Sequence, residues 1–546
     1  MDTLVNEGAK FIFGNPGTTE LPILEALNDY PEIRYIMALH EGIAVSMADA
    51  YAHCSGEVGV VNLHVGPGLG NGLGSVYNAW EGRTPLVVTA GQQDSRMRLR
   101  DPLLGHDLVA MAKPLVKWSV EPTSADELSA VMHKAFKTAR DEPSGPVFVS
   151  LPINIMDQRS EKGALLPSRL HNRFVPEPAA IEAVSEHLRT SQNPVVFFGD
   201  KIAQYGAFEP LVALIELIGA KVFAEFLPSR INFPNQHPQF AGRAGQDYRI
   251  IAEQTKGADI VLLIGGEFFE EVWFTDNVPF PEDATIIQID PDIKQLGRNI
   301  RVDHGLIGCP KMTLAALHST VLGSITTETQ KEIQERRQRM QIEQKHREEK
   351  RRELVRTPES QLGLSTAMLM EELRLNLPKD IAIAGEPITA GVDMLKTLSF
   401  DAPDDYLASR GGGIGQGLPS AIGMKLAQPD RPVLCLSGDG SSLYSIQTLW
   451  SAVHHEIPIV FLILNNRTYR ILKLNMNRYR SEAQLPDRGY QHLDLSNPNI
   501  DYVNIAKGFG MNAVRVTKSD ALASAVNHAF ETNESWLIDV LVDGSI

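Results

Sequence analysis

The sequence predicts an α/β fold made of three doubly wound parallel-sheet domains. Short β-branched runs, apolar on both faces, alternate with longer amphipathic stretches, which is typical of buried parallel strands covered by helices. The chain has 546 residues, which corresponds to about three domains of roughly 150–200 residues each. Its 43 Gly and 33 Pro indicate many tight turns between packed elements.

Ten runs are the clearest strand candidates. In chain order they are Phe11–Phe13, Val58–Leu63, Leu86–Thr89, Val147–Leu151, Val195–Phe198, Ile260–Ile264, Ile286–Ile289, Val433–Ser437, Ile459–Leu464 and Leu537–Val542. A strand buried on both faces carries few polar residues along its length. We therefore expect these runs to form the interior of the three sheets.

Two shifts in composition divide the chain. Residues Asp157–Pro178 are polar and Pro-rich, which predicts a linker. From Glu328 to Glu353 the chain is mostly Glu, Gln, Lys and Arg, with Ile333, Met340 and Ile342 as the main apolar residues, which predicts a solvated helix held by i,i+4 charge pairs. Its mixed signs favour a linker over a nucleic-acid-binding arm. The predicted divisions are 1–160, a central domain 180–325, a charged linker helix 326–357, and 358–546.

Overall composition excludes several classes of function. The formal net charge of −16 argues against a nucleic-acid partner, which needs a basic surface. Three widely spaced cysteines form no CxxC pair, so neither a disulfide framework nor a zinc site is expected, and a cytoplasmic location fits best. No apolar run approaches the length of a membrane span, and the first residues do not resemble a signal peptide.

The most specific motif joins two of the predicted strands. The run Val433–Ser437 leads into Gly438-Asp439-Gly440-Ser441, and Ile459–Leu464 leads into Asn465-Asn466-Arg467-Thr468-Tyr469. The 24 residues between Gly440 and Asn465 are enough for a turn, a helix and a second parallel strand. Asp439 and Asn466 are therefore expected side by side at the carboxyl ends of adjacent strands.

These residue types suit a magnesium ion that holds a diphosphate. Mg²⁺ prefers oxygen ligands and commonly takes one or two from protein while phosphates complete its octahedron. Asp439 would supply a carboxylate oxygen, Asn466 an amide oxygen and Thr468 its backbone carbonyl. Gly440 permits close approach of the backbone, and Ser441 is expected to open a helix whose amino terminus favours an anion.

The GDG and NN pair at this spacing resembles the signature of thiamine-diphosphate enzymes. The resemblance implies thiamine diphosphate and Mg²⁺ as cofactors, with Gly438 and Tyr469 also beside the cofactor. In that family a glutamate from another domain protonates the aminopyrimidine ring. The matching residue is Glu41, which ends the strand-like run that starts at Arg34 and precedes a small-residue helix at Ala44–Ala52.

Two further segments of the last domain match the family pattern. In the loop Ser409–Pro419 the resemblance gives Gly412 the carbonyl that accepts from the cofactor's amine, and gives Ile414 the apolar side chain beneath the cofactor. The glycines could equally serve strand-to-helix packing. Thr389 is a candidate diphosphate contact, although a helix cap is equally plausible there.

Within the family the chain resembles the benzoylformate decarboxylases along nearly its whole length. The matching segments are Phe13–Gly17 with Glu20–Pro22, Asn62–His64, Asn78–Trp80, Val88–Gln93, Pro114–Ser119, and Phe233–Pro234 with His237–Pro238. The resemblance makes His64 a proton donor and acceptor, and places Thr18 where the decarboxylases have a serine that contacts the substrate carboxylate. It also places Val272 where they carry a second catalytic histidine.

The predicted reaction is the non-oxidative decarboxylation of a 2-oxo acid to an aldehyde. Arg470 and Asn475 replace a small and an aromatic residue, so the pocket is expected to be more polar than one built for a phenyl ring. A carboligase resembling acetolactate synthase is the alternative, and a non-catalytic cofactor-binding homologue is a remote one. Gly265-Gly266 leaves a flavin or nucleotide in the central domain open.

The resemblance also has a consequence for assembly. In this family the active site joins the first domain of one subunit to the last domain of another. At least a dimer, and a homotetramer by the same resemblance, is therefore expected.

Overall fold

The computed structural model describes residues 1–168, 170–268, 270–355 and 363–546. Within them the chain forms three six-stranded sheets. Contacts divide the chain into two units: Met1–Arg169 with Thr357–Met394 and Leu407–Ile546, and Leu170–Arg356 with Leu395–Tyr406. The predicted boundary between the linker helix and the last domain, at 357 and 358, lies outside the described residues, as does Phe269 beside the predicted Gly265-Gly266 turn.

The first sheet has the strand order β2-β1-β3-β4-β6-β5. Its strands are β1 Phe11–Gly14, β2 Arg34–Met37, β3 Gly59–Leu63, β4 Leu86–Gln92, β5 Ser119–Val120 and β6 Val147–Pro152. The helices of this part are α1 Asp2–Asn6, α2 Leu21–Ala26, α3 Glu41–Ser55, α4 Val65–Glu81, α5 Leu108–Ala112, α6 Ala125–Arg140 and α7 Ile153–Met156. Parallel pairing of β1 with β3 and of β3 with β4 brings their carboxyl ends to one edge.

The second sheet has the strand order β12-β11-β10-β7-β8-β9. Its strands are β7 Pro194–Phe198, β8 Lys221–Ala224, β9 Phe240–Arg243, β10 Ile260–Ile264, β11 Thr285–Asp290 and β12 His304–Ile307. The helices are α8 Pro178–Thr190, α9 Lys201–Gln204, α10 Phe208–Ile218, α11 Tyr248–Gln254, α12 Pro310–Ser324 and α13 Thr327–Val355.

The third sheet, in the order β14-β13-β15-β16-β18-β17, repeats the relative strand order of the first. Its strands are β13 Ala382–Glu386, β14 Tyr406–Leu407, β15 Val433–Gly438, β16 Val460–Asn465, β17 Asn512–Val516 and β18 Trp536–Leu541. The helices are α14 Thr366–Asn376, α15 Gly391–Thr397, α16 Gly417–Ala427, α17 Asp439–Ser442, α18 Thr448–His454, α19 Arg470–Glu482, α20 Tyr502–Gly508 and α21 Ser519–Glu531.

Burial explains why the apolar runs form central strands. Every residue of β3, β4, β6, β7 and β10 is buried, as expected for parallel strands covered by helices on both faces. One apolar core also joins the first and third sheets through α3 and α16, where a Cβ on Gly423 would overlap the backbone of Met47. The predicted fold class, three doubly wound parallel sheets, is confirmed.

The charged helix is less solvated than the sequence suggested. The helix α13 forms, and Glu348 pairs with Arg351 and Arg352 as expected for i,i+3 and i,i+4 neighbours. However, Ile333, Arg336 and Met340 are buried. The Arg336 guanidinium donates to the carbonyl oxygen of Ile218, 2.8 Å away, so one face of the helix packs on the carboxyl end of α10. The prediction of a solvated helix therefore fails for the face that carries Ile333 and Met340, which lie two helical turns apart, whereas Ile342 is 56% exposed.

The polar segment after the first sheet has no regular structure. The described residues between Met156 and Pro178 form neither helix nor strand.

Among the described residues, no helix combines the length and apolar character needed to cross a membrane.

Candidate active site

The carboxyl edge of the third sheet carries the GDG and NN turns. The strands β13, β15 and β16 are neighbours, and Gly438 at the end of β15 is in register with Leu464 of β16. Asp439 and Asn466 therefore follow adjacent parallel strands at the same edge, as the spacing predicts. The two turns are joined directly, because the backbone N–H of Arg467 donates to Oδ2 of Asp439 over 2.6 Å.

Asp439 is a buried carboxylate held by backbone amides. It is 4% exposed, and its Oδ1 accepts from the N–H of Gly440 at 2.9 Å. Burial raises the pKa of Asp439 to about 6, although these amide donors act in the opposite direction. The hydroxyl of Tyr502 donates to the Asp439 carbonyl, 2.9 Å away, and fixes the backbone of the turn.

The donor set fits a hard cation. Among the described residues, no Lys, Arg or His forms an ion pair with Asp439, so its buried carboxylate has no described cationic partner. The Asn466 amide oxygen accepts from the backbone N–H of Thr468 at 3.0 Å. The Thr468 carbonyl oxygen accepts from the backbone N–H of Arg470 at 2.9 Å. Each oxygen keeps a further lone pair. Three neighbouring oxygens and an uncompensated carboxylate are what Mg²⁺ requires from a protein when phosphates supply the rest.

Two helices occupy the connection that follows the GDG turn. It spans only Asp439–Ser442, and the longer helix of this connection begins at Thr448. The hydroxyls of Ser442 and Tyr502 both donate to the Asp439 carbonyl, so side chains satisfy the group that a continuing helix would use. Ser441, which is buried, was expected to open a helix but is the third residue of this short one, which begins at Asp439.

The other predicted cofactor residues of this sheet lie around the same edge. The ring of Tyr469 packs so close to Gly440 that a Cβ there would be 2.6 Å from a ring carbon. Thr389 is half-buried in the 3₁₀ turn Ile388–Ala390, which follows β13. Gly412 and Ile414 are exposed in the loop before α16, and Gly412 has a positive φ of 74°.

Glu386 is a functional candidate that the sequence reasoning did not identify. It ends β13 and is 8% exposed. Its two carboxylate oxygens accept from the backbone N–H groups of Gly415 and Gly417 at 2.8 and 2.9 Å. Burial raises the pKa of Glu386 to about 7, against the effect of these donors. The feature of the sequence that could have identified Glu386 is a single acidic residue at the end of an apolar strand.

Glu41 begins α3 at the carboxyl edge of the first sheet. It is 8% exposed, and its Oε2 accepts from the side-chain amide of Asn71 at 3.0 Å. The first turn of a helix stabilises a carboxylate through the macrodipole. Among the described residues, no hydrogen bond joins Glu41 to the turns at 438–442 or 466–469.

His64 lies at the same edge and has a buried carboxylate partner. It precedes α4, and its Nδ1 is 2.8 Å from Oε2 of Glu20, which is fully buried. Thr19 donates to the other Glu20 oxygen at 2.7 Å and lies 3.2 Å from the same ring nitrogen. Because a carboxylate only accepts hydrogen bonds, the proton of a neutral ring lies on Nδ1. Nε2 of His64 is then the ring nitrogen that is available for proton transfer.

Glu20 lies in a segment that matches the decarboxylases, but no role was predicted for it. The sequence signal for it is Gly91 on strand β4: a Cβ there would overlap the Glu20 carboxylate, so the glycine makes room for the acid.

The remaining predicted substrate residues are more exposed. Thr18 is exposed beside the buried Thr19, so the residue in contact with His64 is Thr19. Val272 is 55% exposed after β10. Arg470 and Asn475 lie on α19, which has no buried residue. Roles for these positions toward a substrate stay predictions.

Comparison with known proteins assigns the family. Three family models match the chain: the N-terminal TPP binding domain of thiamine pyrophosphate enzymes at residues 1–111, the central domain at 181–317 and the C-terminal TPP binding domain at 389–540. A benzoylformate decarboxylase of Pseudomonas aeruginosa is 32% identical over 99% of this chain and 97% of that protein. The chain belongs to the thiamine pyrophosphate enzyme family. The resemblance inferred from the GDG and NN turns is thereby confirmed.

Relatives within the family include both expected reaction types. An acetolactate synthase large subunit of Escherichia coli is 28% identical over 100% of this chain and 94% of that protein. The structure of a 4-hydroxybenzoylformate decarboxylase from Rhodococcus jostii RHA1 superimposes with a TM-score of 0.86 at 29% identity, over 99% of this chain and 98% of that one. Benzoylformate decarboxylase from Polynucleobacter necessarius gives 0.85 at 27% identity, over 100% and 98%.

Proposed function

We propose that this thiamine pyrophosphate enzyme decarboxylates a 2-oxo acid without oxidation and releases an aldehyde. The observation that carries the proposal is the pair of His64 and the buried Glu20 at the edge of the first sheet. Decarboxylation to an aldehyde needs a group that delivers a proton after carbon dioxide has left. A histidine whose tautomer is fixed by a carboxylate is suited to this role.

Thiamine diphosphate, when bound, supplies the carbon nucleophile and the electron sink for carbon dioxide loss. Asp439, Asn466 and the Thr468 carbonyl would hold the Mg²⁺ that binds its diphosphate. Asp439, which is buried and has no cationic partner among the described residues, supports this assignment. Gly438, Gly440, Ser441, Tyr469 and Thr389 line the same edge and would contact the cofactor.

Glu41 would hold the proton that activates the cofactor. Its burial at the amino terminus of α3 and its bond to Asn71 fix the carboxyl group in place. Thr18, exposed at the end of the turn after β1, would offer its hydroxyl to the substrate carboxylate. His64 would face the substrate with Nε2, because Nδ1 is held by Glu20.

A carboligase is the second candidate. Two points favour it: the resemblance to the decarboxylases places Val272 where they have a second catalytic histidine, and acetolactate synthases are full-length relatives. With one proton donor fewer, a second carbonyl compound would compete better with the proton for the reacting carbon. Arg470 and Asn475 would favour small or polar 2-oxo acids over those with a phenyl group.

The same proposal includes self-association in the cytoplasm. Within one chain, Glu41 bonds to Asn71 and not to the diphosphate turns. One face of α19 carries Leu472, Met476 and Tyr479, which are 45%, 36% and 50% exposed at helical spacing. An unburied apolar face of this kind suits an interface between copies. We expect a dimer at minimum and a homotetramer by family resemblance, which light scattering after size exclusion would measure.

A substrate panel tests the reaction. The purified protein, supplied with thiamine diphosphate and Mg²⁺, is assayed with aromatic and small aliphatic 2-oxo acids, and products are separated into aldehydes and hydroxyketones. Aldehyde as the main product supports the decarboxylase, and hydroxyketone supports the carboligase. If the cofactor binds but no 2-oxo acid is consumed, both reactions are contradicted.

The variant Glu41→Gln tests the proton chemistry. It keeps the shape of the side chain and removes its acidic proton, so turnover should fall by at least 100-fold, the lower range of a lost general acid. Glu57→Gln, an exposed glutamate just beyond the end of α3, is the matched control and should retain full turnover. Undiminished turnover in Glu41→Gln would overturn the assigned role.

A further inference from the structure

The loop Gly411–Gly417 is exposed in its middle and buried at its end. Gly412, Gly413 and Ile414 are exposed, whereas Gly415, Gln416 and Gly417 are buried. Gly412 and Gly415 have positive φ angles of 74° and 94°, a conformation that glycine allows but does not by itself select. Something outside the loop must therefore hold it in this shape.

Asn78 holds the middle of the loop from the first sheet's side. This residue of α4 is 2% exposed. Its side-chain amide donates to the carbonyl of Gly413 over 3.1 Å, and its Oδ1 accepts from the N–H of the same residue at 3.0 Å. A Cβ on Gly411 would overlap the Asn78 side chain, so the loop backbone lies directly against it.

Glu386, at the end of β13, binds the backbone at the end of the loop. Its Oε1 accepts from the N–H of Gly415 and its Oε2 from that of Gly417. A carboxylate that accepts two N–H groups of one loop fixes their orientation. A second contact to the loop from the first sheet's side comes from Ser75, which accepts from the Gln416 side chain at 3.2 Å.

We propose that Asn78 and Glu386 are positioning residues that preset the loop Gly411–Gly417 to receive thiamine diphosphate. The inference rests on the proposed function, since Gly412 and Ile414 are the two positions expected to touch the cofactor. Asn78 and Glu386 bond to the residues on either side of Ile414 and leave its side chain free. The loop is then already ordered before the cofactor binds, so the free energy of binding is not reduced by the cost of ordering the loop.

The contribution of Asn78 connects two parts of one chain. Asn78 belongs to the part that carries Glu41 and His64, whereas the loop belongs to the part that carries Asp439 and Asn466. The cofactor affinity of the diphosphate-binding part is thus set by a residue of the pyrimidine-binding part of the same subunit.

Asn78→Ala removes both bonds to Gly413, and the affinity for thiamine diphosphate at saturating Mg²⁺ should fall about tenfold, or about 1.4 kcal/mol. At saturating cofactor, kcat should return close to the wild-type value. Glu386→Gln places an amide N–H₂ against a backbone N–H and should weaken binding at least as much. Calorimetric titration of cofactor into the apo protein measures the affinity without any need for turnover.

Asn232→Ala is the matched control. Asn232 is also 2% exposed and also uses both amide atoms, donating to Asp200 and accepting from the N–H of Ala203, each at 2.9 Å. It should lose comparable thermal stability and keep wild-type cofactor affinity. If Asn78→Ala does not fold, the affinity for thiamine diphosphate is measured on Asn78→Asp instead. This variant keeps the hydrogen-bond acceptor and loses the donor.

The outcomes separate the inference from the proposed function. If the wild-type protein binds no thiamine diphosphate, the proposed function fails. If it binds the cofactor and Asn78→Ala, or Asn78→Asp in its place, binds equally well, only the present inference is overturned. Equal losses of affinity in the Asn78 variant and in Asn232→Ala would also overturn it, since a general structural defect would then explain both.

Discussion

Replacing Glu20 by Gln is the sharpest test of the site on the first sheet. The Glu20 carboxylate is fully buried and 2.8 Å from Nδ1 of His64, and it accepts from the N–H of Gly17 at 2.8 Å and from the hydroxyl of Thr19 at 2.7 Å. Glu20→Gln keeps the shape of the side chain but removes its charge. It also lets an amide N–H₂ face Nδ1, which would move the ring proton to Nε2.

The size of the effect follows from the type of bond. A hydrogen bond to a charged group contributes about 1.5–3 kcal/mol. If this bond orients the imidazole in the transition state, its loss lowers kcat roughly 10- to 100-fold at 1.36 kcal/mol for each factor of ten. The affinity for thiamine diphosphate should be unchanged, because Glu20 makes no described contact with the diphosphate turns.

A double-mutant cycle with His64→Ala separates this role from a structural one. The rate of aldehyde formation at saturating cofactor and substrate is measured for each single variant and for the double variant. If Glu20 acts through His64, Glu20→Gln should add little in the His64→Ala background. A full kcat in Glu20→Gln, or the same fold loss in both backgrounds, would refute the reasoning.

Three other predictions concern buried charges. Asp439→Asn should raise the Mg²⁺ concentration for half-maximal activity at least tenfold, because the charge that draws the cation is gone, and an unchanged requirement would exclude Asp439 as a ligand. His455 accepts from the N–H of Met37, and burial lowers its pKa to about 4. The unfolded chain therefore binds the proton first, and stability should be complete above about pH 6.5 and fall by no more than about 2 kcal/mol towards pH 4, since the ring is half-exposed. His455→Gln should flatten that dependence in denaturant titrations. Lys201→Met should cost about 3–5 kcal/mol by leaving the fully buried Asp290 unpaired, and adding Asp290→Leu should restore most of it, whereas a further loss in the double variant would contradict the pairing argument.

The central strands and the diphosphate turns were predictable because their signals are local. A strand buried on both faces must be apolar throughout, so β10 and β16 are visible as runs of Ile, Val, Leu and Phe. Edge strands carry no such signal. The strands β9 and β17 are half-exposed, with mixed residues, and neither was among the predicted runs.

The buried acids were not predictable, because their partners are distant in sequence. Glu20 meets His64 after 44 residues, and Glu386 meets Gly415 after 29. Only the sheet brings these pairs together, since each acid and its partner follow different strands. Solvation of the charged helix was misjudged for the same reason: Arg336 is buried by contact with the carbonyl of Ile218, 118 residues away.

The second sheet shows how topology alone can mislead about a ligand. Its strand order corresponds to 3-2-1-4-5-6, the order of dinucleotide-binding sheets, with the ligand crevice expected between β7 and β10. In this crevice two backbone segments are in close contact. A Cβ on Gly199 would overlap the backbone of Gly266, and a Cβ on Gly265 would be 2.9 Å from the side chain of Lys201.

Close packing therefore explains the Gly265-Gly266 turn without a ligand. The ammonium group of Lys201 is 2.9 Å from both oxygens of Asp290, so polar groups that could face a nucleotide are paired with each other. We expect the purified protein to lack flavin absorption bands, and its cofactor-dependent activity to be independent of added flavin. A flavin that copurifies at one per chain would show that the crevice opens, and would contradict this expectation.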